Sequence, residues 1–147
     1  MNVNIPGGAN AQAQLAKKAG TLPAGAAYGF AIVAAVLGTG IDFVFIKLEL
    51  SGYLWWAASA AVFAIAGMGA GMVSKASKAQ AMTAMVIGAV LYGALSFGLI
   101  KAMWPGDLGI VDAIIICGEN LGIGLGVGMV TAQRAATMRD KALQTPG

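Results

Sequence analysis

Residues 24–46 read AGAAYGFAIVAAVLGTGIDFVFI, an apolar run in which Asp42 is the one charged side chain. A helix needs about 20 mostly apolar residues to cross the hydrocarbon of a bilayer. The run therefore predicts a membrane-spanning helix. Three further runs meet the same requirement, at residues 52–73, 81–100 and 108–132. The links between them read KLELS, SKASKAQ and KAMWPGD. Links this short place consecutive helices side by side and antiparallel.

The composition favours the same fold class. Hydrophobic residues make up 59% of the 147 residues and charged residues 10%, whereas soluble globular proteins carry about 25% charged residues. Too few charges are present to cover a surface exposed to water. We therefore predict an all-α integral membrane protein, a bundle of four transmembrane helices at residues 23–133. Residues 1–22 form a polar N-terminal segment and residues 134–147 a polar C-terminal tail.

The basic residues predict how the chain is oriented. Seven of the nine lie before the first run, between the second and third, or after the fourth: Lys17, Lys18, Lys75, Lys78, Arg134, Arg139 and Lys141. By the positive-inside rule, both termini are expected in the cytoplasm. Aromatic residues on the opposite side are expected to anchor the helices at the membrane interface: Tyr53, Trp55, Trp56 and Trp104. The expected location is the bacterial inner membrane, with a viral envelope as the alternative.

Several classes of function conflict with the residue content. The chain contains no histidine and one cysteine, Cys117. One chain therefore lacks the residues for a zinc, haem or copper site and for a Ser-His-Asp or Cys-His catalytic set. We expect no enzymatic activity, no catalytic residue, no metal and no cofactor. The net charge of +3 is spread over membrane-flanking segments, which indicates membrane orientation rather than nucleic-acid binding.

Acidic residues inside the apolar runs are the main candidates for function. We expect Glu119 near the bilayer centre, and Asp42 and Asp112 nearer the non-cytoplasmic side. A charge at the bilayer centre costs about 3 kcal/mol on insertion scales, so such a group is expected to face the bundle interior or water. Residues spaced by seven share one side of a helix. One such stripe, next to Asn120, is expected to be the inward face of the fourth helix: Asp112, Glu119, Gly126 and Gln133.

Three interpretations of Glu119 remain open. It locks the helix register through hydrogen bonds, with four candidate partners: Asn120, Ser59, Ser96 and Tyr92. It takes part in a proton or cation relay with Asp42 or Asp112. It pairs with a basic group on another subunit, because no lysine or arginine lies deep in any run of this chain. Lys47 and Lys101, which sit at the outer boundary, are expected to neutralise Asp42 or Asp112 instead.

Glycines at small spacings are the candidates for helix packing, because glycine lets helix backbones approach closely in a membrane. They lie in the second and fourth runs: Gly67, Gly71, Gly118, Gly122, Gly124, Gly126 and Gly128. Packing within the bundle and contact with another subunit are both open. The stretch GIGLGVG, residues 122–128, resembles the glycine-alternating helix of rotary ATPase proteolipids. In that family the carboxylate usually lies on a different helix, so the resemblance implies only helices closely packed in rings.

The sequence thus favours a small non-enzymatic protein of the lipid bilayer. We expect a structural or accessory subunit that uses glycine-rich helix faces to form a homo-oligomer or to join other membrane subunits. One alternative is a proton- or cation-conducting channel or small transporter that uses Glu119 with Asp42 or Asp112. Another is a viral envelope or membrane-permeabilising protein.

Overall fold

A computed structural model describes residues 19–103 and 109–144. Within these ranges the chain is helical apart from short links, and no strand is formed. Four helices are long and apolar enough to cross a membrane: α1 (Ala26–Lys47), α2 (Gly52–Val73), α3 (Lys78–Met103) and α4 (Ile110–Gln144). The prediction of an all-α chain with four helices of membrane-spanning length is confirmed. The polar tail does not form a separate element, because α4 continues through it to Gln144.

Contacts between the helices show that neighbours in sequence run antiparallel. Residues 20–22 hydrogen-bond to the last residues of α2, so the start of α1 lies beside the end of α2. We call this the terminal end of the molecule, because it also holds the link 74–77 and the last turns of α4. The link 48–51 between α1 and α2 lies at the opposite end, which we call the hairpin end.

The α1–α2 link turns on Glu49. The backbone of Glu49 has a φ of 50°, a left-handed conformation in which glycine is the usual residue. The amide of Leu50 donates to the carbonyl of Phe45 at 3.0 Å, and the amide of Glu49 donates to the carbonyl of Ile46 at 3.3 Å. These two bonds form a Schellman motif, which satisfies carbonyls that the end of α1 would otherwise leave unpaired.

Small residues bring the helices close together. A Cβ atom placed on Gly88 of α3 would lie 2.9 Å from the carbonyl oxygen of Ala31 in α1. The end of α2 (Gly69–Val73) and a middle section of α4 (Gly124–Met129) are π-helical, with wider turns than an α-helix. The wide turn of α2 packs against α4, where Gly71 contacts the backbone of Ala132 and Ala136.

The terminal end is closed by backbone and guanidinium donors. The amides of Gly20 and Leu22 donate to the last carbonyls of α2, those of Met72 and Val73, at 2.9 and 3.0 Å. The guanidinium of buried Arg139 continues this capping, because it donates to two carbonyls of the following link, Ser74 at 2.7 Å and Ala76 at 2.6 Å. Helix α3 then begins with a reciprocal capping box between Ser77 and Gln80.

Candidate functional site

The carboxylate of Asp42 is where all four helices meet. Asp42 is only 3% exposed. Its Oδ1 accepts hydrogen bonds from the Trp55 indole and from the Tyr92 hydroxyl at 2.9 Å. Its Oδ2 accepts hydrogen bonds from the Ser96 hydroxyl and from the Asn120 amide nitrogen at 3.4 Å. We call this group, together with Ser59, whose hydroxyl lies 3.1 Å from that of Tyr92, the Asp42 cluster.

The donors around Asp42 engage both of its carboxyl oxygens. An indole N–H and an amide N–H can only donate, and Trp55 and Asn120 present one to each carboxylate oxygen. Four donors also match the roughly four lone-pair positions of a carboxylate. All of these partners are uncharged. The expectation that Lys47 or Lys101 would neutralise Asp42 is wrong, because both lysines are exposed and neither is a hydrogen-bond or ion-pair partner of Asp42.

Asn120 is buried and only half satisfied. Its amide nitrogen donates to Asp42, while its Oδ1 has no hydrogen-bond partner within the described residues. The contact also fixes the depth of this part of α4, because Asn120 lies level with Asp42. Asp112 lies eight residues earlier on the same helix, about 12 Å nearer the hairpin end. Asp112 and Asp42 therefore lie at different depths.

Glu119 lies outside the Asp42 cluster. Its side chain is exposed on the surface of α4. The four candidate hydrogen-bond partners of Glu119 in the sequence, Asn120, Ser59, Ser96 and Tyr92, all belong to the Asp42 cluster instead. The reason is geometric, because consecutive residues of a helix point about 100° apart and Asn120 takes the inward direction.

The stripe expected to face inward on α4 faces outward instead. Asp112, Glu119 and Gly126 are exposed, and Gln133 is half-buried. Five of the buried residues of α4 follow a spacing of four rather than seven: Asn120, Gly124, Gly128, Ala132 and Ala136. Spacing of four forms a continuous ridge on a helix, and the π-helical section keeps this ridge on one side. Small side chains along the ridge let α4 approach α2 and α3 closely.

The candidate packing glycines divide into two sets. A Cβ atom on any glycine of the first set would contact another helix: Gly67, Gly71, Gly124 and Gly128. A Cβ atom on any glycine of the second set would meet no other atom within 4 Å: Gly118, Gly122 and Gly126. The second set also has a spacing of four, on the side of α4 away from the buried ridge. We call these three glycines with Glu119 the outer α4 face.

The aromatic residues expected at the interface also divide. Tyr53 and Trp56 are 86% and 51% exposed. Trp55 instead turns inward and donates to Asp42, so it belongs to the Asp42 cluster. Trp104 lies outside the described residues. The sequence contains a signal for the Trp55–Asp42 contact that we did not use, since Asp42 lies six residues before the α1–α2 link (48–51) and Trp55 lies four residues after it.

Two cavities open near the hairpin end, and Trp55 lines both. The first has a volume of about 410 Å³ and reaches Asp42. The second has a volume of about 450 Å³ and is lined by Glu119, Trp56 and Tyr53, among others. Among the described residues, no group of three or more His, Cys, Asp or Glu side chains is arranged to hold a metal ion.

The chain matches no protein-family model, no curated protein and no solved structure. Its function must therefore be argued from its own geometry, which offers the outer α4 face and the Asp42 cluster.

Proposed function

We propose that this protein is a structural or accessory subunit of an oligomeric membrane assembly, with both termini in the cytoplasm. Its copies associate through the outer α4 face. The observation that carries this proposal is the position of Glu119, an exposed carboxyl group beside Gly118, Gly122 and Gly126, which have open space above them.

An acid on a lipid-exposed surface is costly. A carboxylate deep in the bilayer costs about 3 kcal/mol on insertion scales. Glu119 lies at the depth of Asp42, seven residues from the α1–α2 link and therefore about 10 Å below it. A second helix packed over Glu119 removes the acid from lipid. The neighbouring glycines allow such a helix to approach closely, which is how GxxxG surfaces associate in membranes.

A second copy of the chain is the occupant that best fits this face. Copies of one chain insert with the same orientation, so their outer α4 faces meet in parallel and bring two Glu119 residues to the same depth. The remaining glycines, Gly67, Gly71, Gly124 and Gly128, are already covered within the chain and are not available for this contact.

Self-association in mild detergent tests the proposal. Sedimentation equilibrium or native mass measurement of the purified protein is expected to show a discrete oligomer. Gly122→Ile fills the outer α4 face and is expected to lower the association constant about tenfold or more. Gly98→Ile is the matched control, because Gly98 is also an exposed helix glycine with nothing within 4 Å of its Cβ position.

The expected pattern is loss of the oligomer in the Gly122 variant and its retention in the Gly98 variant. A wild-type protein that stays monomeric and brings no partner chain through purification would refute the proposal. An equal effect of both substitutions would show that the outer α4 face is not the contact.

Conduction of protons or cations is less well supported by the geometry. A relay between Glu119 and Asp42 needs a path between them, yet Asp42 is buried in the bundle, whereas Glu119 and Asp112 are exposed on the surface of α4. Asn120, which follows Glu119 in sequence and donates a hydrogen bond to Asp42, has an amide side chain that does not pass a proton along a relay.

A further inference from the structure

The 410 Å³ cavity at the hairpin end has the size of a small-molecule site. Its inner end is formed by Asp42 and Trp55, and Glu49 lies at the α1–α2 link, about 10 Å further out along the helix axis. The walls between these residues are mostly apolar: Phe45, Ile46, Leu50, Ile100 and Ile116. The cavity therefore joins a buried acid, an acid at its outer end and mostly aliphatic walls that include Phe45.

The charge lining this cavity is entirely negative within the described residues. Asp42 and Glu49 line it, and no lysine or arginine does. A buried carboxylate usually has a cation nearby or pays for its desolvation through hydrogen bonds alone. Among residues 19–103 and 109–144, Asp42 has four hydrogen-bond donors and no lysine or arginine partner. A positively charged occupant is thus the one that complements the cavity.

The hydrogen bonds of Asp42 also limit the type of cation. Its roughly four lone-pair positions are matched by four donors. A primary ammonium would need to displace one of them to donate its own N–H groups. A quaternary ammonium has no N–H group and is held by charge and by aromatic faces. Trp55 and Phe45 are the two aromatic residues among those that line the cavity.

We propose that this cavity binds a quaternary ammonium group, with Asp42 as its buried counter-ion and Trp55 and Phe45 as aromatic walls. The group comes either from a free organic cation or from the choline headgroup of a lipid. This site is separate from the outer α4 face, so it stands or falls independently of self-association.

Binding of choline to the protein tests the proposal. The protein is placed in nanodiscs of phosphatidylethanolamine, and radiolabelled choline is measured by equilibrium dialysis with empty nanodiscs subtracted. We expect saturable binding. The neutral isostere 3,3-dimethylbutan-1-ol, which has carbon in place of nitrogen, and the primary amine ethanolamine are both expected to compete about tenfold less well.

A substitution that fills the cavity tests whether choline binds there. Gly52 lines the cavity and has nothing within 4 Å of its Cβ position. Gly52→Leu is expected to weaken choline binding about tenfold, whereas Gly98→Leu, at a glycine equally open but outside the cavity lining, leaves it unchanged. Circular dichroism and elution volume check that both variants are folded.

Glu49→Gly separates binding from folding. Glycine suits the φ of 50° at this position better than glutamate, so the variant is expected to be at least as stable as the wild type. Loss of the exposed carboxylate is nevertheless expected to weaken choline binding about twofold to fivefold. This variant keeps the test decisive if Gly52→Leu does not fold.

Repeating the choline measurement in nanodiscs of a second lipid distinguishes the two sources of the quaternary ammonium group. Choline binding that is lost in phosphatidylcholine nanodiscs assigns the cavity to a lipid headgroup, and equal binding in both lipids assigns it to a free cation. The proposal is overturned by absence of saturable binding in phosphatidylethanolamine. It is equally overturned by competition from the neutral alcohol as strong as that from choline, or by unchanged affinity in a folded Gly52→Leu protein.

Discussion

Asp42 is a carboxylate removed from water, and uncharged donors rather than a cation compensate for its burial. Hydrogen bonds to an ionised group are about twice as strong as neutral ones, and four of them converge here from three other helices. Each donor therefore does more than fill space, because its loss leaves part of a buried charge unsatisfied. The Asp42 cluster is where single substitutions are expected to affect stability most.

Removal of the Tyr92 hydroxyl tests whether a single donor of the Asp42 cluster stabilises the fold. Tyr92 is fully buried, and its hydroxyl donates to Asp42 and lies within hydrogen-bonding distance of Ser59. Tyr92→Phe is expected to lower the free energy of unfolding by about 1–3 kcal/mol, measured by titration of detergent micelles with sodium dodecyl sulfate. Tyr53→Phe is the control, because Tyr53 is 86% exposed. Equal stability of the two variants would contradict the role given to the cluster.

The sequence pointed to both Asp42 and Glu119, but it favoured Glu119 as the acid inside the bundle, whereas Asp42 is the one that is buried. Glu119 lies nearer the middle of its apolar run than Asp42 does, so depth alone favoured it as the buried acid. Depth along a helix does not determine direction around it, and Asn120 rather than Glu119 faces inward. The direction depends on which residues the neighbouring helices can accommodate, and that information is spread over all four runs.

Helix α4 carries two ridges of small residues on opposite sides. One ridge packs within the chain through Gly124 and Gly128, and the other exposes Gly118, Gly122 and Gly126. Both ridges have a spacing of four, so the sequence pattern predicted close packing without showing which ridge faces the bundle. The difference arises from the partner surface, because the wide π-helical end of α2 fits the first ridge.

The contact between α2 and α4 leaves no room for a methyl group at Gly71. An added Cβ atom would lie 2.7 Å from the Ala136 nitrogen and also against the Ala132 carbonyl. Because both atoms belong to the backbone, the helices must separate, and Gly71→Ala is expected to cost about 1–3 kcal/mol of stability. Gly98→Ala, at a helix glycine with open space, is expected to be neutral or to stabilise by up to about 1 kcal/mol. Unfolding titrations of both proteins decide the matter, and a Gly71 variant as stable as the Gly98 variant would contradict the close approach.

The whole molecule has ends of different character. The terminal end is closed by Gly20, Leu22 and Arg139, which satisfy carbonyls at the end of α2 and in the link that follows it. The hairpin end holds both cavities beside Trp55. The positions of the first three helices and the start of the fourth were predictable within a few residues, because membrane thickness sets the length of an apolar run. The end of α4 was not, because the helix continues past the apolar run to Gln144. The contacts between the helices could not be predicted, because residues that face lipid and residues that face another helix are equally apolar.

Orientation in the membrane is an expectation from the sequence, because seven basic residues precede the first apolar run, lie between the second and third, or follow the fourth. By the positive-inside rule the terminal end is expected in the cytoplasm and the hairpin end outside. Single-cysteine proteins test this in a Cys117→Ala background. Ser51→Cys, in the α1–α2 link, is expected to react with a membrane-impermeant maleimide on intact cells, whereas Ala79→Cys, at the start of α3, is expected to react only after permeabilisation.

These two positions form a matched pair because both are exposed and neither side chain makes a capping hydrogen bond. A difference in labelling then reports the side of the membrane rather than burial. Labelling of the Ala79 variant but not the Ser51 variant in intact cells would invert the topology. The cavity at the hairpin end would then open toward the cytoplasm, and any quaternary ammonium that binds beside Asp42 would have to come from the cytoplasm or the inner leaflet.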